Sequence, residues 1–77
     1  MLIFIKTLTE KKLALEADPY ELMADLKAKI TNIYGVPPEN QRFIFAGRNI
    51  EDTKTLAYYN ICEESTVYIV FRKHPGI

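Results

Sequence analysis

Few side chains in this sequence have the types needed for catalysis or metal binding, and they do not cluster. The chain has one cysteine, Cys62, and one histidine, His74. A nucleophilic cysteine needs a neighbouring base or positive charge, whereas Glu63 and Glu64 follow Cys62. One cysteine and one histidine cannot close a metal site, and the sequence has no glycine-rich phosphate loop. We therefore predict a protein that is not an enzyme and that holds no metal or cofactor.

A different chemistry, the recognition of another protein, is indicated by residues 41–48, whose sequence is Gln-Arg-Phe-Ile-Phe-Ala-Gly-Arg. Side chains alternate along a strand, so Phe43 and Phe45 point to one side and Arg42 and Ile44 to the other. A strand with large apolar groups on both sides has a core side and a second apolar side. Ile44 is therefore predicted to be displayed beside Arg42.

The predicted last strand, residues 66–72, extends this second apolar side with Tyr68 and Val70. Leu8, at the tip of a predicted hairpin, is expected to join them. An apolar centre with an arginine rim has the anatomy of a protein interface. A one-residue shift of register would instead place Ile44 or Val70 in the core, and the pattern leaves this alternative open. The residues predicted to contact a partner are Leu8, Arg42, Ile44, Gly47, Arg48, Tyr68, Val70 and Arg72.

Length, composition and charge limit the possible partners and location. The 77 residues are 48% hydrophobic and 26% charged, which is typical of one globular domain. Ten basic and ten acidic residues cancel, which argues against nucleic acid or an anionic membrane as the main partner. No apolar run is long enough to span a membrane, and a single cysteine cannot form an internal disulfide. We predict a monomer in the cytoplasm or nucleus.

The elements that must position these residues are five strands and one helix, in the order β-β-α-β-β-β. Asp18 as a cap, Pro19 at the first helical position and Gly35 as the C-terminal cap predict the limits of the helix. One helix covering one side of a mixed sheet predicts an α+β fold. The predicted strands cover residues 1–7, 12–17, 41–45, 48–50 and 66–72, and the helix lies within residues 19–34.

The chain resembles ubiquitin from Met1 to Arg72 without an insertion or deletion. Blocks that stand as in ubiquitin include Lys6-Thr7-Leu8-Thr9, Lys27-Ala28-Lys29-Ile30, Gln41-Arg42, Ile44-Phe45-Ala46-Gly47, Tyr59-Asn60-Ile61 and Glu64-Ser65-Thr66. The resemblance implies a β-grasp domain over residues 1–72, with a mixed sheet packed on one main helix, and a flexible tail over residues 73–77. It also implies that Leu8, Ile44 and Val70 form the patch that ubiquitin receptors contact, and that the helix begins near Met23.

The tail departs from the ubiquitin pattern. Ubiquitin is joined to target lysines through a terminal Gly-Gly, whereas residues 72–77 here read Arg-Lys-His-Pro-Gly-Ile. Pro75 fixes φ and lacks an N–H, so it is expected to obstruct the narrow clefts of activating and processing enzymes. The candidate conjugation terminus is Gly76, which Ile77 follows. If the natural chain continues beyond Ile77, this sequence is instead an N-terminal ubiquitin-like domain.

The lysines that ubiquitin uses as acceptors for chain formation are partly kept. Arg48 stands where ubiquitin has a lysine and keeps the charge without the nucleophilic amine. Ile33 and Glu63 also replace lysines. The alternative interpretation is that these are solvated surface substitutions without consequence. The candidate acceptor lysines, by resemblance, are Lys6, Lys11, Lys27 and Lys29.

Two functions from different classes follow from the resemblance. The first is a non-covalent module recognised by ubiquitin-binding domains, or by proteasome and other ubiquitin-pathway proteins, through Leu8, Ile44 and Val70. The second is a divergent covalent modifier handled by activating and conjugating enzymes, because Arg42 and Arg72 match residues that activating enzymes recognise in ubiquitin. An enzyme or a nucleic-acid binder on the same fold is a third interpretation, since a fold does not fix a function.

Overall fold

One mixed β-sheet carries the main helix on one of its sides. The computed structural model describes residues 1–9 and 11–72. The strand order is β2-β1-β5-β3-β4, with β1 parallel to β5 and the other neighbours antiparallel. This arrangement confirms the predicted α+β, β-grasp fold. The elements are β1 (Leu2–Lys6), β2 (Lys12–Glu16), α1 (Met23–Tyr34), β3 (Gln41–Phe45), β4 (Arg48–Asn49) and β5 (Thr66–Phe71), with short 3₁₀ turns at Pro38–Asn40 and Ala57–Tyr59.

The core lies between α1 and the inner side of the sheet. Phe43 of β3 pairs with Ile69 of β5, and both are buried. Alternation therefore places the residues of β3 and β5 as predicted, with Phe45 packed against the core. Each large apolar side chain that is fully buried contributes about 1.5–3 kcal/mol. The fully buried side chains include Ile3, Ile5, Met23, Leu26, Ile30, Phe43, Leu56 and Val67.

The helix begins at Met23, so the start predicted from Asp18 and Pro19 is wrong. The expected capping contacts form, but they close a turn ahead of the helix. The Tyr20 N–H donates to the Asp18 Oδ1 atom at 2.8 Å, and the Asp18 N–H donates to the Glu21 Oε1 atom at 3.1 Å. The ubiquitin resemblance implied a helix start near Met23, and the structure confirms this start.

The first amides of α1 are satisfied by a distant loop. The residue before the helix, Leu22, makes no side-chain cap. The Met23 N–H donates to the Lys54 carbonyl at 2.9 Å, and the Ala24 N–H donates to the Asp52 carbonyl at 3.2 Å. Because unpaired helix-end amides are costly when buried, this loop replaces the missing local cap.

A buried glutamine holds the other end of α1 to β3. Gln41 is 3% exposed, and its Nε2 atom lies 3.0 Å from the Lys27 carbonyl and 2.9 Å from the Val36 carbonyl. Gly35, at φ 73°, closes the helix in the left-handed conformation that glycine favours. These contacts fix the side chain of Gln41, the first residue of β3, on the inner side of the sheet. Because side chains alternate along a strand, they also fix the side that each later residue of β3 takes.

We expect the two phenylalanines of β3 to differ in their contribution to stability. Phe43→Ala should lower the free energy of unfolding by about 3–5 kcal/mol, because a fully buried ring leaves a cavity. Phe45→Ala should cost about 1–2 kcal/mol, because that ring is only half-buried. Urea unfolding of both variants checks this, and equal midpoints would contradict the assignment of burial.

Candidate protein-recognition face

The side of the sheet opposite α1 carries the predicted patch, and we call it the outer face. Arg42 lies opposite Val70, and Ile44 lies opposite Tyr68, so these four side chains share one side of β3 and β5. Ile44 and Val70 are half-buried, whereas Tyr68 is 49% exposed. Phe43 and Ile69, the residues that precede Ile44 and Val70, are the ones buried in the core. The alternative that Ile44 or Val70 belongs to the core is therefore excluded.

Leu8 lies in the turn between β1 and β2, next to the end of β5. Its side chain is 78% exposed. Lys6 lies opposite Tyr68 on the parallel strand β5. The backbone of Leu8, two residues after Lys6, is therefore level with that of Val70. The Thr7 N–H donates to the Lys11 carbonyl at 3.0 Å and closes the turn that presents Leu8. The pairing of β1 with β5 therefore sets the turn of Leu8 level with Val70, and the Leu8 side chain lines a surface pocket together with Ile69 and Phe71.

Two of the three predicted arginines lie beside this apolar centre. The Arg42 Nε atom donates to the Asn49 Oδ1 atom at 2.7 Å, which orients its exposed guanidinium. Arg72 follows β5, and its N–H donates to the Asn40 carbonyl at 2.7 Å. Because Arg42 lies opposite Val70, Arg72 is its diagonal neighbour on the same side.

Arg48 does not join this face, contrary to prediction. Ala46 and Gly47 both have positive φ, 54° and 76°, which is the geometry of a tight hairpin turn. After this turn Arg48 lies opposite Phe45, whose side chain faces the core side. Its guanidinium carbon lies 5.8 Å from the centroid of the Tyr59 ring. The charge is therefore held against an aromatic ring and does not form part of the rim.

The outer face also includes residues that sequence reasoning did not assign to the patch. Phe4 lies on the same side of β1 as Lys6, and the Lys12 Nζ atom lies 4.2 Å from the centroid of the Phe4 ring. Asn49 lies opposite Ile44. The period-2 pattern of β1 marks Phe4 as outward, but only the pairing of β1 with β5 shows that it lies beside the patch.

Comparison with known proteins agrees with this architecture. The model of the ubiquitin family matches residues 3–74. The chain belongs to the ubiquitin family. Members of this family are protein modifiers and not enzymes, which confirms the prediction that this chain is not an enzyme.

Similar proteins cover nearly the whole of this ubiquitin-family chain. Ubiquitin-like protein 1 of Schizosaccharomyces pombe is 34% identical over 76 residues, which are 99% of this chain and 97% of that protein. Ubiquitin-like protein NEDD8 of Dictyostelium discoideum is 34% identical over 77 residues, which cover 100% of both chains. AN1-type zinc finger protein 4 of Mus musculus is 34% identical over 76 residues, and these are 10% of its length.

The four candidate acceptor lysines of this ubiquitin-family protein differ in exposure. Lys27 is 8% exposed, and its Nζ atom lies 2.7 Å from the Asp52 Oδ1 atom. The Lys29 Nζ atom donates to the Glu16 carbonyl at 2.9 Å and also pairs with the Glu21 carboxylate at 2.9 Å. Lys6 is half-buried and Lys11 is exposed. Gly76 and the rest of the predicted tail lie outside the described residues.

The groups considered for catalysis do not converge in the described part of the chain. Cys62 is exposed, and its Sγ atom lies 3.5 Å from the Ser65 Oγ atom, a neutral hydroxyl. No three His, Cys, Asp or Glu side chains are grouped as metal ligands within residues 1–9 and 11–72. Among the same residues, no helix has the length and apolar character needed to cross a bilayer. His74 lies outside the described residues.

We expect the exposure of these lysines to decide their reactivity. Under limiting acetylation by an N-hydroxysuccinimide ester, Lys11 should be modified ahead of Lys27, because the Lys27 amine is buried in an ion pair. Peptide mass spectrometry at several reaction times measures the two rates. The difference should disappear in concentrated urea, and equal rates in the folded protein would contradict the burial of Lys27.

Proposed function

We propose that this protein is recognised non-covalently by ubiquitin-binding domains and other ubiquitin-pathway proteins through its outer face. The observation that carries the proposal is the display of Ile44 and Val70 on the outer face, next to the exposed turn of Leu8. Two half-buried aliphatic side chains, Ile44 and Val70, are diagonal neighbours on β3 and β5, and the 78% exposed Leu8 lies in the turn that is level with Val70. Such an apolar centre gains free energy when a partner excludes water from it.

The charges around this centre define the kind of partner that fits. Lys6, Arg42 and Arg72 all lie on the outer face or at its end. A receptor with an apolar centre and an acidic rim would pair with these cations and be steered toward them. Tyr68 adds an aromatic ring beside Ile44, and exposed tyrosines are frequent anchors at interfaces.

The central test replaces the anchor without disturbing the core. Ile44→Ala should weaken binding to a ubiquitin-binding domain by about 1–3 kcal/mol, because truncating an interface anchor costs that much. Isothermal titration with the purified domain measures the change. The matched control is Tyr20→Ala, which removes a side chain that is 81% exposed in the turn before α1. Unchanged affinity for Ile44→Ala, with the fold intact, would show that the outer face is not the site.

A second candidate function is covalent attachment to target lysines through a processed C-terminus. It is favoured by the end-to-end match with the NEDD8 protein of Dictyostelium discoideum and by the diagonal placement of Arg42 and Arg72. Incubation with an activating enzyme, ATP and a conjugating enzyme tests it. Thioester formation beside a ubiquitin control would support the modifier. No thioester, while ubiquitin is charged, would leave non-covalent recognition as the function.

We extend the proposal to a reducing compartment, the cytoplasm or nucleus, in which the protein acts as a monomer. The chain's one cysteine, Cys62, is exposed and free. An exposed thiol of this kind is more common where glutathione keeps thiols reduced.

A further inference from the structure

Three large side chains around the start of α1 are exposed to solvent. Leu22 is 40% exposed, Tyr58 is 60% exposed, and Tyr20 is more exposed than either. Unlike the exposed Tyr68, they do not belong to the outer face, because α1 covers the inner side of the sheet. Single exposed apolar residues are common, whereas a group of them indicates a contact surface.

Backbone hydrogen bonds set the segment before α1 against the second 3₁₀ turn. The Ala57 N–H donates to the Pro19 carbonyl at 2.8 Å, and the Leu56 N–H donates to the Glu21 carbonyl at 3.1 Å. The two stretches of chain therefore run antiparallel to each other. Tyr20, which stands between the two acceptors, lies beside this turn.

Leu22 and Tyr58 are neighbours across the same pairing. Leu22 forms an antiparallel bridge with Thr55, so these two side chains point to the same side. The Tyr58 N–H donates to the Thr55 Oγ1 atom at 3.1 Å, which sets Tyr58 next to the Thr55 side chain. Glu21 instead turns inward, and its side chain, held in an ion pair, is 12% exposed. We call Tyr20, Leu22 and Tyr58 the aromatic surface.

The ring of Tyr58 already holds a cation. The Lys54 Nζ atom lies 4.8 Å from the centroid of this ring. Tyr59 packs against the same ring edge-on, with centroids 5.0 Å apart, and so fixes its position. A tyrosine ring attracts a cation because the face of the ring is negative. Among residues 1–9 and 11–72 no cation lies over the ring of Tyr20, so its face is available to a partner.

The carboxylates next to the aromatic surface are exposed. Asp18 and Asp25 take no part in the ion pairs of the described residues. The Asp18 Oδ1 atom accepts the Tyr20 N–H, and the Asp25 N–H donates to the Leu22 carbonyl at 3.0 Å. Each carboxylate therefore adjoins a member of the aromatic surface. Two unpaired carboxylates stand beside one unpaired amine, that of Lys54, and this surface is acidic.

The outer face carries the opposite charge. Lys6, Arg42 and Arg72 lie on it or at its end. An acidic partner that is drawn to the outer face is therefore repelled by the carboxylates of the aromatic surface. A basic partner has the reverse preference.

We propose that the aromatic surface binds a basic segment of another protein, one in which arginines alternate with apolar residues. One arginine would stack on the ring of Tyr20, and others would pair with Asp18 and Asp25. An apolar side chain of the segment would cover Leu22. Arginine suits this surface better than lysine, because its planar guanidinium both stacks on aromatic rings and bonds carboxylates. The outer face lies on the other side of the sheet, so both surfaces can be occupied at once.

The test uses the full chain, labelled with ¹⁵N, and a synthetic peptide, acetyl-Gly-Arg-Leu-Arg-Leu-Arg-Gly-amide. We expect saturable amide shifts in residues 18–25 and 54–58. The same peptide with glutamate in place of arginine should cause no shift there. The absence of saturable shifts would overturn the proposal. Shifts centred on Glu63 and Glu64, which are also exposed, would overturn it too, because they would show a general attraction to acidic residues.

Two variants separate the aromatic contribution from the charge. Tyr20→Ala removes the exposed ring, and Asp25→Asn removes a carboxylate without changing its shape. Each should weaken binding of the arginine peptide about threefold, and the double variant about tenfold, because contributions of separate contacts nearly add. The matched control is Ile33→Ala, which removes another exposed apolar side chain of α1 and should leave the affinity unchanged.

Unchanged peptide affinity in Tyr20→Ala would overturn the proposal by itself, since this side chain is too exposed for its loss to disturb the core. A peptide-free dimer seen by sedimentation, and abolished by Tyr20→Ala, would also overturn it, because a second copy would then cover the aromatic surface. These outcomes are independent of the proposed function, which Ile44→Ala tests with a ubiquitin-binding domain.

Discussion

The parallel pairing of β1 with β5 is the contact on which the rest of the structure depends. Ile5 lies opposite Val67 in the middle of the sheet, and both are fully buried. The Phe4 N–H donates to the Ser65 carbonyl at 2.9 Å. This pairing closes a loop that spans most of the described chain, an entropic cost that grows only slowly with loop length. It also places the turn of Leu8 beside the strand of Val70, so the same contact builds the core and the outer face.

The contacts at the two ends of α1 leave the outer face uncovered. The loop around Asp52 and Lys54 satisfies the first amides of the helix, and Gln41 holds its other end. The pair of Lys27 with Asp52 adds an ion pair between helix and loop, with the lysine side chain almost fully buried. The helix is thereby held on the inner side of the sheet, and the opposite side carries no covering element in the described residues.

Local pattern was enough to predict which side of β1, β3 and β5 is buried. A strand with one buried side specifies its register strongly, because a shift of one residue would expose every core side chain. The helix start was missed because its cap acceptors come from a loop distant in sequence. The position of Arg48 was missed because the turn at Ala46 and Gly47 decides which side it takes. The hairpin of β1 and β2 was predicted from the pattern, but the pairing of β1 with β5 cannot be read from periodicity, and only the family resemblance implied it.

The central position of β5 has a consequence for synthesis of the chain. A ribosome releases β1 and β2, the two strands of the first hairpin, before any other element. The strand that joins this hairpin to β3 is the last described element, so the sheet stays divided into two separate parts until residues 66–71 leave the exit tunnel. An isolated hairpin is at best marginally stable. The sheet of this domain can therefore be completed only after residues 66–71 are available, and until then its apolar strands lack the neighbours that protect them from aggregation.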